Sequence, residues 1–309
     1  MIWKGLNAYG MKGVHPGLYE KFAWFVRLRS AQNADSWNTK KCIRVLVMKV
    51  VILAGGMGSR IGEETKTKPK PMIEIGGRPI LWHIMNLYSH YGFHEFVICC
   101  GYMGQVIKDY FVHYYLYQAD STFYLNSWKM DYHEVAAEPW KVTLVNTGLN
   151  TLTAGRILRV RKYIGSETFL LTYGDGVADV DISSLIRLHR QQGRIVTITA
   201  VQPLGRFGGV QIDPEACQVL RFKEKARADQ AWVNAGFMVM EPEIFEYLED
   251  GSEMLEGKPF EQLAARGQMS AYRHMGFWSP MDNMRDKAYL EELWESGKAP
   301  WRIWENKCL

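Results

Sequence analysis

Residues 50–71 read VVILAGGMGSRIGEETKTKPKP, and this stretch decides the fold. It opens with four apolar residues, 50–53, three of them β-branched, and glycines follow at once. Such a run is typical of a strand buried in a parallel sheet. Residues 54–59, all small except Met57, come next, so backbone N–H groups can approach a ligand closely and form a concavity that binds anions. The stretch therefore predicts a phosphate-binding loop at the end of a buried strand.

Cations follow this loop in the sequence. Arg60 places a permanent positive charge beside the glycines, and Lys68 and Lys70 alternate with Pro69 and Pro71. The prolines restrict φ and keep the segment extended, so the two amines are held on a stiff strip. A strand, a glycine loop and several cations together predict a polyphosphate site.

Two better-known phosphate loops do not fit these residues. A Walker loop needs Gly-Lys-Ser/Thr, whereas Gly58 is followed by Ser59 and Arg60. The dinucleotide-binding pattern needs a third glycine where Ile61 stands, and Glu74 lies in a segment rich in Pro and Gly rather than at a strand end. The sequence thus excludes a P-loop NTPase and disfavours a Rossmann dehydrogenase.

The composition is that of a globular protein without special partners. The 309 residues are 47% hydrophobic and 23% charged, with a net charge of only +4 and no dense Lys/Arg tract, so nucleic acid is not an expected partner. The longest apolar candidate for a membrane segment, residues 43–53, is broken by Arg44 and Lys49. The apolar patch at residues 22–28 is too short for a secretory signal and contains Arg27.

Five cysteines show no CxxC pair and no metal-ligand spacing. An odd number without a disulfide framework fits a reducing compartment, so we expect a cytoplasmic protein.

Helical and strand patterns alternate after the loop. Residues 79–91 have helical spacing, 95–100 form an apolar run, and 103–117 have helical spacing again. This order predicts a parallel sheet with helices on both faces. Residues 119–140 are polar and aromatic and do not fit the alternation, so they are interpreted as a small β-rich excursion over the site or towards a neighbouring subunit.

The loop and its cations also carry a resemblance to a known family. LAGGMGSRI at 53–61 and KPKPM at 68–72 resemble the signature of the sugar-1-phosphate nucleotidyltransferases, L-A-G-G-x-G-[ST]-R-[LI] followed by K-P-K-P. The resemblance runs from Met48 to about Glu305 and implies a Rossmann-like α/β fold with a mostly parallel central sheet. We therefore expect a nucleotidyltransferase domain at 48–309 with a C-terminal helical tail. Residues 1–47 are interpreted as an extension, either a misassigned start or a docking arm.

The resemblance also implies a nucleotide site. Its expected members are Leu53, Ala54, Gly55, Gly56, Met57, Gly58, Ser59, Arg60, Lys70, Thr151, Arg156 and Gly174. Catalytic roles are expected for Arg60, on the β- and γ-phosphates, and for Lys70, on the α-phosphate in the transition state. The attacking sugar phosphate is already a nucleophile, so no general base is required.

A metal and a sugar phosphate are implied as well. Asp175, between two glycines after an apolar strand, would by itself be interpreted as a turn residue. The family's G-D and W-x-P-M-D elements instead imply that Asp175 and Asp282 bind Mg²⁺. Sugar-phosphate contacts are expected from Glu224, Lys225, Asn234 and Gly236, although Ala226 stands where the family usually has proline.

Further segments, among them 79–85 and 173–179, resemble the branch that joins CTP and α-D-glucose 1-phosphate into CDP-glucose and pyrophosphate. The product of that branch feeds deoxyhexose synthesis for bacterial surface polysaccharide. A uridylyl- or thymidylyltransferase remains an alternative, because backbone and loop shape form most of the base pocket. A binding module without activity would tend to lose Lys70, Asp175 or Asp282, and all three are present. A homo-oligomer is implied, with residues 119–140 and the Trp-bearing tail as interface candidates.

Overall fold

The structure is a computed structural model that describes residues 48–133, 137–203, 209–212, 219–223, 232–249 and 252–305; of Ser59, Arg60, Glu63, 209–212 and 219–223 only the backbone is described. The strands are β1 Val50–Ala54, β2 Glu74–Ile75, β3 Arg78–Pro79, β4 Glu95–Cys100, β5 Asp120–Tyr124, β6 Lys129–His133, β7 Lys141–Asn146, β8 Phe169–Tyr173, β9 Gly176–Ala178, β10 Val196–Val201, β11 Gly209–Ile212, β12 Val219–Lys223, β13 Val233–Met240, β14 Met269–Arg273 and β15 Trp278–Pro280. The α-helices are α1 Ile80–His90, α2 Gly104–Val112, α3 Tyr114–Gln118, α4 Thr153–Ile164, α5 Ile182–Gln192, α6 Lys258–Ala265 and α7 Met284–Glu295. Short 3₁₀ helices cover Ser59–Lys66, Lys70–Met72, Pro242–Glu246 and Ile303–Glu305.

Seven strands form the central sheet in the order β14-β10-β13-β8-β1-β4-β7. The pairs β1–β4, β1–β8, β4–β7 and β10–β14 are parallel, and β13 runs antiparallel to both of its neighbours. The predicted mostly parallel sheet with helices on both faces is confirmed. The sequence pattern did not predict the direction of β13, because a short buried run is equally apolar in a parallel and an antiparallel strand.

The strand β1 lies at the middle of the core, and all five of its residues are buried. Its side chains alternate between the two faces of the sheet. Val50 and Ile52 pack in the cluster that includes residues of α1 and α5, and Val51 and Leu53 pack in the cluster that includes residues of α4 and α6. This double burial explains why the run has no polar alternation.

The carboxyl ends of β1 and β8 lie side by side, because Leu53 pairs with Tyr173. Ligands of open α/β sheets bind beyond such strand ends. The glycine loop after β1 and the Gly174–Asp175 segment after β8 therefore meet at one edge of the sheet.

The predicted excursion is the antiparallel hairpin β5–β6. Its exposed large apolar side chains include Phe123, Leu125 and Trp128, the last of them 98% exposed. None of the helices in the described ranges combines the length and the apolar character that crossing a membrane requires.

The C-terminal segment packs against His83 of α1. The His83 side chain is buried, its Nε2 lies 2.9 Å from the carbonyl oxygen of Ile75, and the rings of Trp294 and Trp301 pack against it. Burial lowers the pKa of His83 to about 4. In the unfolded chain the imidazole has its ordinary pKa of about 6.5.

This difference predicts a loss of stability in acid. Below about pH 6.5 the unfolded chain takes up a proton that the folded His83 does not. We expect the free energy of unfolding to fall by up to about 3 kcal/mol from this group as the pH falls from 6.5 to 4. Urea unfolding between pH 7 and 4.5 should show a smaller pH slope for His83→Gln than for the control His113→Gln, which changes an exposed histidine. Equal pH slopes in the two variants would contradict the conclusion that the buried, uncharged His83 causes the loss of stability in acid.

Candidate active site

An open cavity of about 400 Å³ lies at the shared edge of β1 and β8. Such a volume is within the range of small-molecule sites. Its lining comes from the glycine loop, the segment after β7, the segment after β8 and three other segments: Leu53, Ala54, Gly55, Gly56, Gly58, Lys70, Pro71, Thr151, Leu152, Thr153, Arg156, Tyr173, Gly174, Asp175, Met254 and Asp282. Most of the expected nucleotide site is therefore brought together.

Lys70, Asp175 and Asp282 form the charged group of this cavity. Lys70 Nζ lies 2.6 Å from Asp175 Oδ2 and 2.7 Å from Asp282 Oδ1. Burial by itself lowers the pKa of Lys70, but the two carboxylates outweigh it and raise the pKa. The ammonium is consequently charged at neutral pH, and its side chain is only 11% exposed.

A short ribbon brings the two acids together. β9 and β15 pair antiparallel, with Gly176 opposite Pro280. The N–H of Met281 donates to the carbonyl oxygen of Asp175 at 2.8 Å, so the next residue, Asp282, lies beside Asp175. This non-local pairing of two three-residue strands is the reason that residues far apart in the chain share one site.

The two lysines of the proline strip lie in different places. Lys68 Nζ pairs with Glu74 Oε1 at 2.6 Å, and both side chains are largely exposed. Lys68 lines a separate cavity of about 380 Å³, whereas Lys70 lines the active-site cavity. Residues two positions apart in an extended segment point to the same side, so a fully extended strip would hold both amines together. Lys70 instead begins a 3₁₀ turn, and the two amines lie apart.

Glycine is required at two positions of the loop by close packing. A Cβ on Gly55 would lie 2.0 Å from a guanidinium nitrogen of Arg156. Gly58 has φ of 60°, and a Cβ there would lie 3.0 Å from Cβ of Lys70. The first glycine leaves room for an arginine and the second allows the loop to turn onto Lys70.

Arg156 lies in the cavity wall, but its guanidinium is directed into the protein. It donates to the carbonyl oxygens of Gly55, Gly148 and Leu149 at 3.0, 2.9 and 3.2 Å and to Thr147 Oγ1 at 2.7 Å. The side chain is 4% exposed, and burial lowers its pKa. Arg156 thus links the glycine loop to the loop after β7.

We expect Arg156→Lys to lower the free energy of unfolding by about 2–3 kcal/mol, because an ammonium cannot satisfy the planar set of acceptors and leaves buried carbonyls unpaired. Chemical denaturation measures the change. The control is Arg161→Lys on the same helix, where an exposed guanidinium lies 4.9 Å from the centre of the Phe245 ring. That change should cost less than about 1 kcal/mol. Similar losses in both variants would refute the linking role.

Comparison with known proteins agrees with this geometry. The family described as nucleotidyl transferase matches residues 49–291. The chain is 51% identical over 259 residues to the glucose-1-phosphate cytidylyltransferase of Salmonella typhi, covering 84% of this chain and 100% of that protein. It is 40% identical to the probable glucose-1-phosphate cytidylyltransferase of Bacillus subtilis, covering 83% and 100%.

The chain belongs to the nucleotidyl transferase family, among its glucose-1-phosphate cytidylyltransferases. The resemblance of the glycine loop and the K-P-K-P segment predicted this family, and the prediction is confirmed. Among solved structures, HddC from Yersinia pseudotuberculosis has a TM-score of 0.60 at 22% identity, covering 80% of this chain and 100% of that one. A UDP-glucose pyrophosphorylase complexed with UDP-glucose has a TM-score of 0.57 at 18% identity, covering 81% and 99%. These similarities support the fold.

The acids of this transferase fit a Mg²⁺ ion. Both carboxylates contact one ammonium nitrogen, so they are close enough to bind a common cation. Mg²⁺ is commonly held by one or two carboxylates together with substrate phosphates. In the described ranges no group of three or more His, Cys, Asp or Glu could hold a metal.

The other expected members are only partly described. Met57 is 59% exposed in the glycine loop. The side chains of Ser59 and Arg60, and the residues Glu224 and Lys225, lie outside the described part of the chain. Their predicted contacts with phosphate and sugar remain predictions.

Asn234 and Gly236 of the expected sugar site lie on β13 beside the end of β8. Asn234 Oδ1 accepts a hydrogen bond from the N–H of Gly236 at 2.9 Å. Gly236 has φ of 88°, and a Cβ there would lie 2.4 Å from Cδ2 of Tyr173. The glycine therefore makes room for the Tyr173 ring, which lines the cavity.

The sequence analysis did not identify Tyr173, Thr153 and Met254 as parts of the cavity wall. Tyr173 and Thr153 adjoin motif positions, so their proximity could have indicated them. Met254 lies in a segment without a motif, and nothing in its sequence context indicated the site.

Proposed function

We propose that the chain transfers a cytidylyl group from CTP to α-D-glucose 1-phosphate and releases CDP-glucose and pyrophosphate. The observation that supports this most is the meeting of Lys70, Asp175 and Asp282 in the cavity, in a chain whose full-length relatives are named glucose-1-phosphate cytidylyltransferases.

The chemistry requires positioning and charge neutralisation. An oxygen of the sugar phosphate attacks the α-phosphorus of CTP in line, the new P–O bond forms, and pyrophosphate leaves with the electron pair of the broken bond. The backbone N–H groups of residues 55–58, with Arg60, bind the β- and γ-phosphates. The Lys70 ammonium neutralises the charge that develops on the α-phosphate.

Asp175 and Asp282 hold the metal in this proposal. A bound Mg²⁺ supplies further neutralisation of phosphate charge. The acids are positioned by the β9–β15 ribbon, and Lys70 contacts both of them. The two carboxylates would hold the ion, and the Lys70 ammonium beside them would then be available to the α-phosphate.

The sugar phosphate is proposed to lie on the β13 side of the cavity. Asn234 and Gly236 adjoin Tyr173 there, and Glu224 and Lys225 are proposed to contact the sugar and its phosphate. The side-chain amide and carboxylate are suited to hydrogen bonds with sugar hydroxyls.

Pyrophosphate release tests the function and its alternatives. The purified chain is incubated with glucose 1-phosphate, Mg²⁺ and CTP, UTP or dTTP in turn, and pyrophosphate is measured. We expect CTP to be used at least about tenfold better than the other two, with no release when glucose 1-phosphate is omitted. A preference for UTP or dTTP would support the uridylyl- or thymidylyltransferase. Nucleotide binding without release would support a binding module.

The chain is further proposed to act as a homo-oligomer through the hairpin β5–β6. Its Phe123, Leu125 and Trp128 are 54%, 87% and 98% exposed, and large apolar side chains exposed together are a feature of protein–protein contact surfaces. Light scattering should give a mass that is a multiple of 35.6 kDa, and Trp128→Glu should reduce it. A monomeric wild type would refute the assembly.

A cytoplasmic location and a role in making deoxyhexoses for surface polysaccharide complete the proposal. The location is proposed because CTP and sugar phosphates are made inside the cell, and the role is proposed because the family branch that this chain resembles makes CDP-glucose for deoxyhexose synthesis. Loss of CDP-glucose from cell extracts after deletion of the gene would support this role, and unchanged CDP-glucose would refute it.

A further inference from the structure

We propose that Glu256 is a positioning residue for the reaction, because its carboxylate joins two walls of the active-site cavity. One oxygen accepts a hydrogen bond from Tyr173 and the other from Thr153. This inference rests on the proposed function of the cavity and adds a residue that none of the motifs contains.

The first wall is the end of β8. Tyr173 is the last residue of that strand, and Gly174 and Asp175 follow it directly. Its ring lies against Gly236, where a side chain would overlap it, and its Oη donates to Glu256 Oε1. The contact therefore holds the strand end from which the metal-binding Asp175 projects.

The second wall is the beginning of α4. Thr153 is the first residue of that helix, directly after Thr151 and Leu152, and all three line the cavity. Its Oγ1 donates to Glu256 Oε2 at 2.9 Å and accepts from the N–H of Leu255 at 2.7 Å. The hydroxyl thus binds both the carboxylate and the backbone of the same segment.

Glu256 does not itself line the cavity, so it acts through its two partners. Its neighbour Met254 does line the cavity and is 54% exposed. The same contacts therefore also place Met254 at the cavity mouth. In-line transfer is sensitive to displacements of about 1 Å between reacting groups, so the spacing that Glu256 maintains between the two walls should affect turnover.

A second carboxylate provides a matched control. Glu241 accepts from Thr168 Oγ1 at 2.8 Å and contacts His189 Nε2 at 3.0 Å. Thr168 directly precedes β8, so Glu241 is bonded at the opposite end of the strand from Glu256. Each glutamate joins two side chains, but only the partners of Glu256 line the cavity.

The test uses three variants, Glu256→Gln, Tyr173→Phe and the double variant that carries both changes. The control is Glu241→Gln. We expect kcat to fall about tenfold in each of the first two variants, with the KM for CTP changed less than about threefold. The combination should fall no further than either single change, because both remove the same contact. Glu241→Gln should lower the melting temperature and leave kcat within about twofold of the wild type.

Three results would overturn the inference: additive losses in the combination, a fall in kcat for Glu241→Gln as large as that for Glu256→Gln, or an effect of Glu256→Gln on melting temperature alone.

Hydrogen exchange of the substrate-free protein tests the contact without reference to the reaction. Residues 151–156 and 252–257 should exchange faster in Glu256→Gln and not in Glu241→Gln, and unchanged exchange would overturn the joining role. If hydrogen exchange changes as expected in the two variants but the wild type makes no CDP-glucose, the proposed function is refuted instead.

Discussion

Lys70→Ala is expected to lower kcat by about 10²–10³-fold, the loss found when a preorganised group that stabilises transition-state charge is removed, about 2.7–4 kcal/mol. Lys70 is suited to this role because its ammonium is charged, only 11% exposed and in contact with both acids of the cavity. In the proposed mechanism this interaction is made chiefly in the transition state, so the KM for CTP should change much less than kcat. Steady-state pyrophosphate release measures both constants.

Lys68→Ala is the matched control, two residues away in the same strip. Its ammonium pairs with Glu74 at the surface and faces the separate cavity. We expect kcat within about twofold of the wild type, since an exposed ion pair contributes little. If Lys70→Ala stayed within about threefold of the wild type, or both variants lost activity equally, the role of Lys70 in the transition state would be wrong.

Asp175→Asn and Asp282→Asn are expected to have the larger effect, about 10³-fold in kcat. Each change removes one of two carboxylates that would hold the metal, and metal stabilisation of developing charge is worth several kcal/mol. Added Mg²⁺ should recover part of the activity at millimolar concentration if the remaining acid still binds it. Chelation by EDTA should stop the wild-type reaction, and Mg²⁺ should restore it.

Calorimetry separates metal binding from the chemical step. In the wild type Mg²⁺ should strengthen CTP binding, and in either variant this strengthening should be reduced. The control Asp181→Asn changes an acid that accepts from the N–H of Ser184 at the start of α5. Asparagine caps helices as well as aspartate, so activity should be retained. Equal metal dependence in the wild type and both active-site variants would contradict the proposed ligands.

Local patterns predicted much of the architecture. The apolar run 50–53, the helical spacing after Pro79 and the strand Glu95–Cys100 were recognisable because their periodicity depends on neighbours in sequence. The motif positions Lys70, Asp175 and Asp282 were recognisable only through the family resemblance. By itself, an aspartate between glycines has the features of an ordinary turn.

Other parts of the site depend on long-range contacts. Glu256 binds Tyr173 and Thr153, which are 83 and 103 positions away, and no local pattern marks it. Arg156 was expected near the nucleotide, and it does line the cavity, but its guanidinium binds backbone carbonyls of two loops. The direction of a side chain on a helix depends on what packs against that helix, which composition does not specify.

The sequence alone determined the buried central strand, the glycine loop after it, the family and the types of charged residue that the chemistry requires, because each is encoded by residues close together in the chain. Only the tertiary structure decided that Lys68 and Lys70 face separate cavities, that two distant acids share one ammonium, and that Glu256 joins the cavity walls. Those features arise from the pairing of β9 with β15 and from packing across the edge of the sheet, where residues meet that are not neighbours in sequence.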